Sequence, residues 1–269
     1  MRVRDIHYKI TTAIQTSLQQ DKTMAPVPFA VVAGVGPGTG ASVARRFSKA
    51  YPIALLARTP ESYESLVKEI NNAGGKAIGI STDVSSEESV KAAFAQIKSE
   101  YQGADCAAAI FNASGPFSRK PLLDMSVADF SKSWDVSAKG ALIFSQAALP
   151  LLVQTASSSE AKHPPTLIYT GATASVKANA QVAAFASGKW ALRALSHSVA
   201  REFAPKGVHV AHAIIDGPID IAGRDWLKDM AAEAKIAPDD IAETYWNLHT
   251  QSVRCFTNEV DIRAMLEKW

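Results

Sequence analysis

A glycine-rich segment near the start of the sequence has the composition of a phosphate-binding loop. Residues 34–40 have the sequence GVGPGTG, directly after the apolar run 29–33 and before a helical pattern over 41–50. A backbone without Cβ atoms permits the tight turn and lets a phosphate approach the free N–H groups at a helix N-terminus. The segment predicts a pyrophosphate site, against the alternative of a turn that binds no ligand. The residues predicted to form the site are Gly34, Gly38, Thr39 and Gly40.

A positively charged residue, Arg58, follows the second apolar run, about 20 positions beyond these glycines. In dinucleotide sites an acidic residue at this point binds the ribose 2′-OH of NAD, whereas arginine suits the 2′-phosphate of NADP. A guanidinium group can hold two phosphate oxygens at once. Arg58 therefore predicts NADP in preference to NAD, and the alternative is a solvated arginine at the end of a strand.

Short β-rich runs alternate with helical patterns from residue 29 onward. The predicted strands are 29–33, 53–57, 76–81, 105–111, 166–170 and 208–215, and the predicted helices lie near 40–50, 61–73, 86–101, 127–153 and 183–204. This alternation is typical of βαβ units. We predict a single doubly wound α/β domain with a mainly parallel sheet flanked by helices. Its ligand crevice would open at the carboxyl ends of the strands.

From these motifs the sequence resembles the short-chain dehydrogenase/reductases over about residues 29–257. The first loop matches that family's glycine motif, with Ala33 in the place of its threonine. The resemblance implies an NAD(P)-binding Rossmann fold, often found as a homodimer or homotetramer. It also implies that the residues at three further strand ends contact the cofactor. These residues are Asp83 and Val84, then Asn112 and Ala113 followed by Ser114 where the family has glycine, and Gly217 and Ile219 following Asp216 where it has proline.

The catalytic positions of the family are mostly replaced. The family uses a Tyr-x-x-x-Lys pair on a helix, and this sequence has Phe185 and Lys189 there. The resemblance places Ala172 at the position of the catalytic serine and Ser137 at that of the asparagine. Four-residue spacing puts Phe185 and Lys189 on one face of the helix. The lysine is thus retained while the usual proton donor is absent.

Two functions remain open. The first is an NADP-dependent reductase of an activated carbonyl or a conjugated C=C bond, in which Lys189 fixes the nicotinamide ribose and relays a proton. The second is a dinucleotide-binding scaffold or non-redox enzyme without hydride chemistry. Each residue also has a structural alternative: Lys189 as a surface lysine, and Phe185 as a plain core aromatic rather than a lining of the pocket.

Several other polar residues are weighed in the same way. Asp216 is either a substitute acid or a loop-capping residue, the latter being favoured. The possible hydroxyl donors are Ser114, Ser137, Thr173 and Ser175. The aromatic group of Tyr245, Trp246 and His249 belongs either to the core, as favoured here, or to the substrate pocket. The segment with Glu259, Asp261 and Arg263 is expected to be charged and solvated.

No metal site is predicted. His209 and His212 are three positions apart on a predicted strand, so their side chains point to opposite faces and cannot bind one ion. The two cysteines, Cys106 and Cys255, have no paired spacing, which argues against a disulfide scaffold or a cysteine-based metal site. A reducing, cytoplasmic location fits this cysteine content.

The composition indicates a globular chain with a small-molecule ligand. The 269 residues are 47% hydrophobic and 20% charged, with 28 basic against 26 acidic side chains and a net charge of +2. This balance lacks the basic surface that nucleic acid requires. The longest apolar stretch, residues 140–153, is shorter than the roughly 20 residues that span a bilayer. We therefore predict no transmembrane helix.

Residues 1–24 are predicted to be an extension, helical or disordered, ahead of a domain formed by residues 25–269. Isoleucines and a leucine recur at every fourth position there, as in a short amphipathic helix. A mitochondrial presequence over residues 1–23 is an alternative, but Asp5 and Asp21 weaken it.

Overall fold

The computed structural model describes residues 26–158 and 161–268, and the predicted N-terminal helix lies outside this range. Its strands are β1 (Phe29–Ala33), β2 (Ile53–Ala57), β3 (Ala77–Ser81), β4 (Cys106–Phe111), β5 (Thr166–Thr170), β6 (His209–Asp216) and β7 (Glu259–Arg263). Its α-helices are α1 (Thr39–Ser48), α2 (Glu64–Asn72), α3 (Glu87–Glu100), α4 (Val127–Trp134), α5 (Gly140–Ala156), α6 (Ala183–Phe203) and α7 (Pro238–His249). The six predicted strands agree with β1–β6 to within one residue.

The seven strands form one parallel sheet in the order β3-β2-β1-β4-β5-β6-β7. Helices cover both faces. Residues of α3, α5 and α6 pack in one hydrophobic cluster, and residues of α1, α2 and α7 pack in the other. β1, β2, β4 and β5 are buried throughout, as expected for strands covered on both sides. The predicted doubly wound α/β fold is therefore confirmed.

A π-helical turn, Asp135–Lys139, joins α4 to α5. The continuous helix 127–156 that results is long and apolar enough to cross a membrane by length and composition alone. Half of its most apolar window is buried inside the protein, where Phe144 and Leu152 pack against the sheet. This is the arrangement of a core helix.

The charged C-terminal segment is the seventh strand. The expectation of solvated side chains is wrong for Glu259 and Arg263, which are partly buried, while Asp261 is exposed. Val260 and Ile262 alternate with these charged residues and pack against the core. An alternation with period two places every second residue on the same face of a strand. The sequence therefore carried a strand signal that its charges concealed.

A partly buried polar cluster connects β7 to β6 and α6. The guanidinium of Arg193 donates two hydrogen bonds of 2.7 Å to the Glu259 carboxylate. His197 and His212 each place a ring nitrogen 3.0 Å from the same carboxylate. Hydrogen bonding from Arg193, with smaller contributions from the two histidines, lowers the pKa of Glu259 to about 2. The Glu259 carboxylate on β7 thus connects this outermost strand to α6 and β6.

The aromatic group on α7 belongs to the core, as favoured from the sequence. Tyr245 is fully buried, with its hydroxyl 2.8 Å from that of Thr170. His249 is also fully buried and lies within hydrogen-bond distance of Tyr51 and Thr166. Two cavities open at the carboxyl ends of the strands, and neither is lined by Tyr245, Trp246 or His249.

The protein is expected to lose stability in mild acid. Burial lowers the pKa of His212 to about 4 and that of His249 to about 3, so both stay neutral in the fold while the unfolded chain takes up protons below about pH 6.5. Unfolding is therefore favoured as pH falls, by about 2 kcal/mol per imidazole between pH 7 and pH 5. Urea denaturation at both pH values measures the loss, and His212→Gln should reduce it. Equal unfolding free energies at pH 7 and pH 5 would contradict this expectation.

Candidate active site

The glycine loop lies between β1 and α1, at the carboxyl ends of the central strands. Gly34 has φ of +91°, and a Cβ atom there would overlap the backbone nitrogen of Ala113. A Cβ on Gly40 would come within 2.5 Å of the Gly34 carbonyl oxygen. Asn112 donates a hydrogen bond of 2.8 Å from its side-chain amide to that same oxygen. Glycine is thus required at both positions to pack the loop against the end of β4.

A cleft of about 350 Å³ opens beside this loop. Its lining includes Lys189 and Arg224 but no acidic residue. The Thr39 hydroxyl is buried there and has no hydrogen-bond partner among the described residues. The first turn of α1 carries no acidic side chain and no side-chain cap, and the N–H groups of Thr39 and Gly40 have no acceptor among the described residues, so they are available to an anion. The residues present therefore fit the pyrophosphate of a dinucleotide.

The structure brings most of the sequence-predicted cofactor residues to this cleft. The predicted residues that line it are Gly34, Gly38, Thr39, Gly40, Asn112, Gly217, Ile219 and Lys189. Ala113 is buried against Gly34 of the cleft, whereas Val84 is buried against Gly140 at the start of α5 and does not line the cleft. Gly217 has φ of +141°, which favours glycine at the turn that follows β6.

Arg58 and Asp83 follow β2 and β3, beyond the lining of the cleft. Arg58 is exposed at the carboxyl end of β2, next to the strand that carries the glycine loop. Asp83 accepts hydrogen bonds from the backbone and hydroxyl of Ser85, which lower the pKa of its carboxyl group below the usual value. Their roles with the adenosine part of a cofactor stay predictions.

Lys189 is buried at the cleft, so the surface-lysine alternative is wrong. Only 2% of its area is exposed, and its ammonium donates a hydrogen bond of 3.0 Å to the Thr170 carbonyl oxygen. It makes no ion pair with any carboxylate in the described part of the chain. Burial lowers the pKa of this ammonium to about 8. A lysine with such a pKa can give up a proton near neutral pH.

Phe185 separates the cleft from a second cavity, which confirms its pocket-lining alternative. Its ring centroid lies 5.8 Å from the Lys189 ammonium nitrogen. The ring also makes an edge-to-face contact with Phe117, at 5.2 Å between centroids. Ala172 lines the same two cavities, so neither of these positions offers a hydroxyl to a substrate.

Ser137 lies in the π-helical turn and is fully buried. Its hydroxyl accepts a hydrogen bond of 3.1 Å from the Gly115 backbone N–H, so it positions the loop after β4. It does not line the cleft. A π-helical turn at this point is consistent with the frequent occurrence of such turns at functional sites.

The remaining hydroxyl candidates have protein partners. Ser175 donates to the Ala172 carbonyl oxygen at 2.6 Å, and Ser114 donates to that of Gly115 at 3.1 Å. Thr173 donates a short hydrogen bond to the buried Asp216 carboxylate.

Asp216 is a salt-bridge residue, and the loop-capping interpretation favoured from the sequence is wrong. Arg263 on β7 reaches the Asp216 carboxylate at 2.5 Å. Because β7 had not been predicted, this partner could not be foreseen. The pair places a matched anion and cation at the wall of the second cavity.

Several residues that line the two cavities were not predicted from the sequence, among them Arg224, Ile221 and Phe117. Arg224 follows Gly223 in the loop after β6 and lines the cleft. Ile221, two residues beyond Ile219, covers Gly38, where a Cβ atom would meet its side chain at 2.8 Å. Phe117 follows the end of β4. The one available signal was their position just after strands whose ends were already assigned to the site.

Comparisons with known proteins agree with this geometry. A sequence model of the family described as short chain dehydrogenase matches residues 28–226. An uncharacterized oxidoreductase of Staphylococcus aureus (strain USA300) is 25% identical over 237 residues, covering 88% of this chain and 96% of the relative. The solved short-chain dehydrogenase from Rhodopseudomonas palustris is 31% identical, with a TM-score of 0.71 over 87% of this chain and 98% of its own. A metagenomic short-chain oxidoreductase solved in complex with NADP is 25% identical, with a TM-score of 0.74 over 90% and 99% of the two chains. The chain therefore belongs to the short-chain dehydrogenase/reductase family of oxidoreductases.

Proposed function

We propose that the protein is an NADP-dependent reductase of an activated carbonyl or a conjugated C=C bond, with Lys189 in the role of proton donor. The observation that carries the proposal is the buried Lys189 ammonium, which lines the cleft and has one backbone acceptor. A buried charge without a counter-ion is unfavourable for folding and is typical of functional sites.

The pKa of about 8 suits Lys189 to this role. At pH 7 the ammonium is mostly protonated, and its proton leaves more easily than that of a solvated lysine. A general acid is most effective when its pKa lies near the working pH. Lys189 would hold the nicotinamide ribose and deliver a proton to the substrate, directly or through water. When bound, NADPH supplies the hydride.

Magnitudes explain why the substrate must be activated. Removal of a positioned general acid typically costs about 10²- to 10⁴-fold in rate. Correct placement of the two reacting groups is worth about 7–11 kcal/mol, the larger contribution. A site without a hydroxyl at 185 or 172 can therefore still reduce a bond that needs little acid assistance. Ordinary ketones would react slowly.

The preference for NADP is supported by the charges around the cleft. Arg58 occupies the strand end where a 2′-phosphate is bound in this class of fold, and no acid takes its place. Arg224, which lines the cleft, adds positive charge beside the predicted pyrophosphate site. The metagenomic relative was solved with NADP.

A scaffold without redox chemistry is the second candidate. It is favoured by the combined loss of hydroxyls at Phe185 and Ala172, while Thr173 and Ser175 are engaged by protein groups. Such a protein would bind the dinucleotide and leave it unchanged.

Restoring the family's hydroxyls in Phe185→Tyr/Ala172→Ser distinguishes the two candidates. We expect the parent to oxidise NADPH with aromatic aldehydes or enones, and the double variant to gain activity towards unactivated ketones by about 10²-fold or more, because Lys189 would then act beside a phenol. NADPH absorbance measures both. A parent that consumes no NADPH with any activated substrate, beside a variant that does, would support the scaffold instead.

A further inference from the structure

A second cavity, of about 380 Å³, adjoins the cofactor cleft. The two share Ala172, Phe185, Ile215 and Gly217 along their common wall. A molecule in the second cavity would therefore reach the region of Lys189 past the Phe185 ring. This connection makes it the place for the substrate of the reaction proposed above.

The inner part of the second cavity is apolar. Phe117 and Phe185 form an edge-to-face pair there, and Val176, Val182 and Ile215 complete the surface. Phe117 is 62% exposed, so its ring packs edge-to-face with Phe185 while much of its surface stays open to solvent. This surface fits the hydrophobic body of a ligand, such as an aromatic ring or an alkyl chain.

The outer part of the second cavity carries excess positive charge. Its cations are Arg119, Lys177, Arg263 and Lys268, and its carboxylates are Asp216 and Glu267.

Asp216 and Arg263 are bound to each other, and Glu267 lies close to Gly217. In contrast, Arg119 and Lys177 make no ion pair with any described residue, although both line the cavity. Lys268 likewise has no ion pair among the described residues, and unpaired cations that line an apolar cavity attract an anionic ligand.

A backbone contact holds Arg119 and Lys177 near each other. The N–H of Lys120, next to Arg119, donates a hydrogen bond of 2.8 Å to the Gln181 carbonyl oxygen. Gln181 has φ of +67°, in the left-handed region that a residue with a side chain seldom adopts. Strained backbone of this kind occurs preferentially at binding and active sites. The loop after β4 is thereby connected to the segment before α6 that follows Lys177.

From this arrangement we infer that the substrate is an amphiphilic carboxylate. Its apolar body contacts Phe117 and Phe185, its carboxylate pairs with Arg119 and Lys177, and its reducible group lies towards Lys189. The inference rests on the proposed reductase function for the last of these contacts. The first two concern binding alone and can be tested without turnover.

The test compares 4-formylbenzoate with its methyl ester, which has the same ring and aldehyde but no charge. Isothermal titration calorimetry with NADP⁺ present, and again without it, measures binding in the absence of reduction. We expect the acid to bind at least 10-fold more tightly than the ester. In Arg119→Gln/Lys177→Gln the acid-to-ester affinity ratio should fall towards one, and high salt should have the same effect on the parent. Lys76→Gln, at the opposite end of the sheet, is the matched control.

The outcomes separate the two proposals. Equal affinity for acid and ester in the parent, or an unchanged ratio in the double variant, would overturn the inference. Phe117→Ala should weaken both ligands, because it removes part of the apolar surface and none of the charge. Charge-selective binding without NADPH oxidation would support the carboxylate site while contradicting the reductase function. Reduction of the ester in preference to the acid would do the reverse.

Discussion

Replacement of Lys189 with methionine is expected to lower kcat/KM for reduction by about 10²- to 10⁴-fold, the range that a positioned proton donor contributes. The parent should also lose activity as pH rises through about 8, because the ammonium is the form that donates and its pKa lies there. Rates measured with saturating NADPH between pH 6 and pH 9.5 would show both effects. A variant that keeps the parent rate would contradict the role of Lys189.

Replacement of Lys189 with methionine should also stabilise the fold. A fall in activity together with a rise in stability would show that the activity is not lost through unfolding. The pKa of Lys189 falls from 10.5 to about 8, so below pH 8 the folded chain carries a charge that burial disfavours. Between pH 10.5 and pH 8 the unfolded chain binds the proton more readily than the folded one. The free energy of unfolding therefore decreases as pH falls from 10.5 to 8 and stays reduced below that. Methionine removes the charge and is expected to add about 1–3 kcal/mol at pH 7. Lys76→Met, an exposed lysine at the far end of the sheet, should change neither stability nor rate appreciably.

Arg58→Asp is expected to weaken NADPH binding by about 10- to 100-fold while changing NADH binding much less. A hydrogen-bonded ion pair with the 2′-phosphate is worth about 1.5–3 kcal/mol, and the introduced carboxylate would repel that phosphate. It would also lie close to Asp83, which follows the neighbouring strand β3 and interacts electrostatically with Arg58. Fluorescence titration of both reduced cofactors onto the purified protein and the variant measures the change in preference.

Arg254→Asp provides the control for this exchange. Arg254 is exposed and precedes β7, so it lies at the amino end of the sheet, away from the cleft. The Arg254→Asp substitution changes the net charge by the same amount as Arg58→Asp but leaves the end of β2 unaltered. If both variants weakened NADPH to the same extent, long-range charge rather than Arg58 would explain the preference. Tighter binding of NADH than NADPH by the parent would refute the cofactor assignment itself.

The sequence was sufficient for six of the seven strands and for the glycine loop because these depend on local patterns. An apolar run such as 53–57 predicts a buried strand wherever it lies, and the glycines of 34–40 permit a tight turn that residues with a Cβ atom rarely adopt. The position of Lys189 on its helix, four residues after Phe185, was equally local. The placement of Lys189 at the site was predicted only through the resemblance to a family, and its burial was not predicted.

Contacts between distant segments explain what the sequence could not predict. The charge of Glu259 predicts a solvated side chain. Its partner Arg193 lies 66 positions away in the sequence, so no local pattern reveals their contact. The ion pair of Asp216 could not be predicted either, because its partner Arg263 lies on β7, a strand that the sequence analysis did not predict. The excess charge of the second cavity likewise comes from separate segments of the chain that the fold brings together.

The π-helical turn at 135–139 sets the rotational phase between the two halves of the long helix. An α-helix turns by about 100° per residue, so loss of one residue within this turn would rotate α4 relative to α5 by roughly that angle. Ser133 would then leave its place against Gly115, while Phe144 stayed in the core. The extra residue of the π-helical turn thus lets α4 and α5 face two surfaces that a regular α-helix of the same length would not face together. The segment 135–139 should therefore tolerate substitutions far better than deletions.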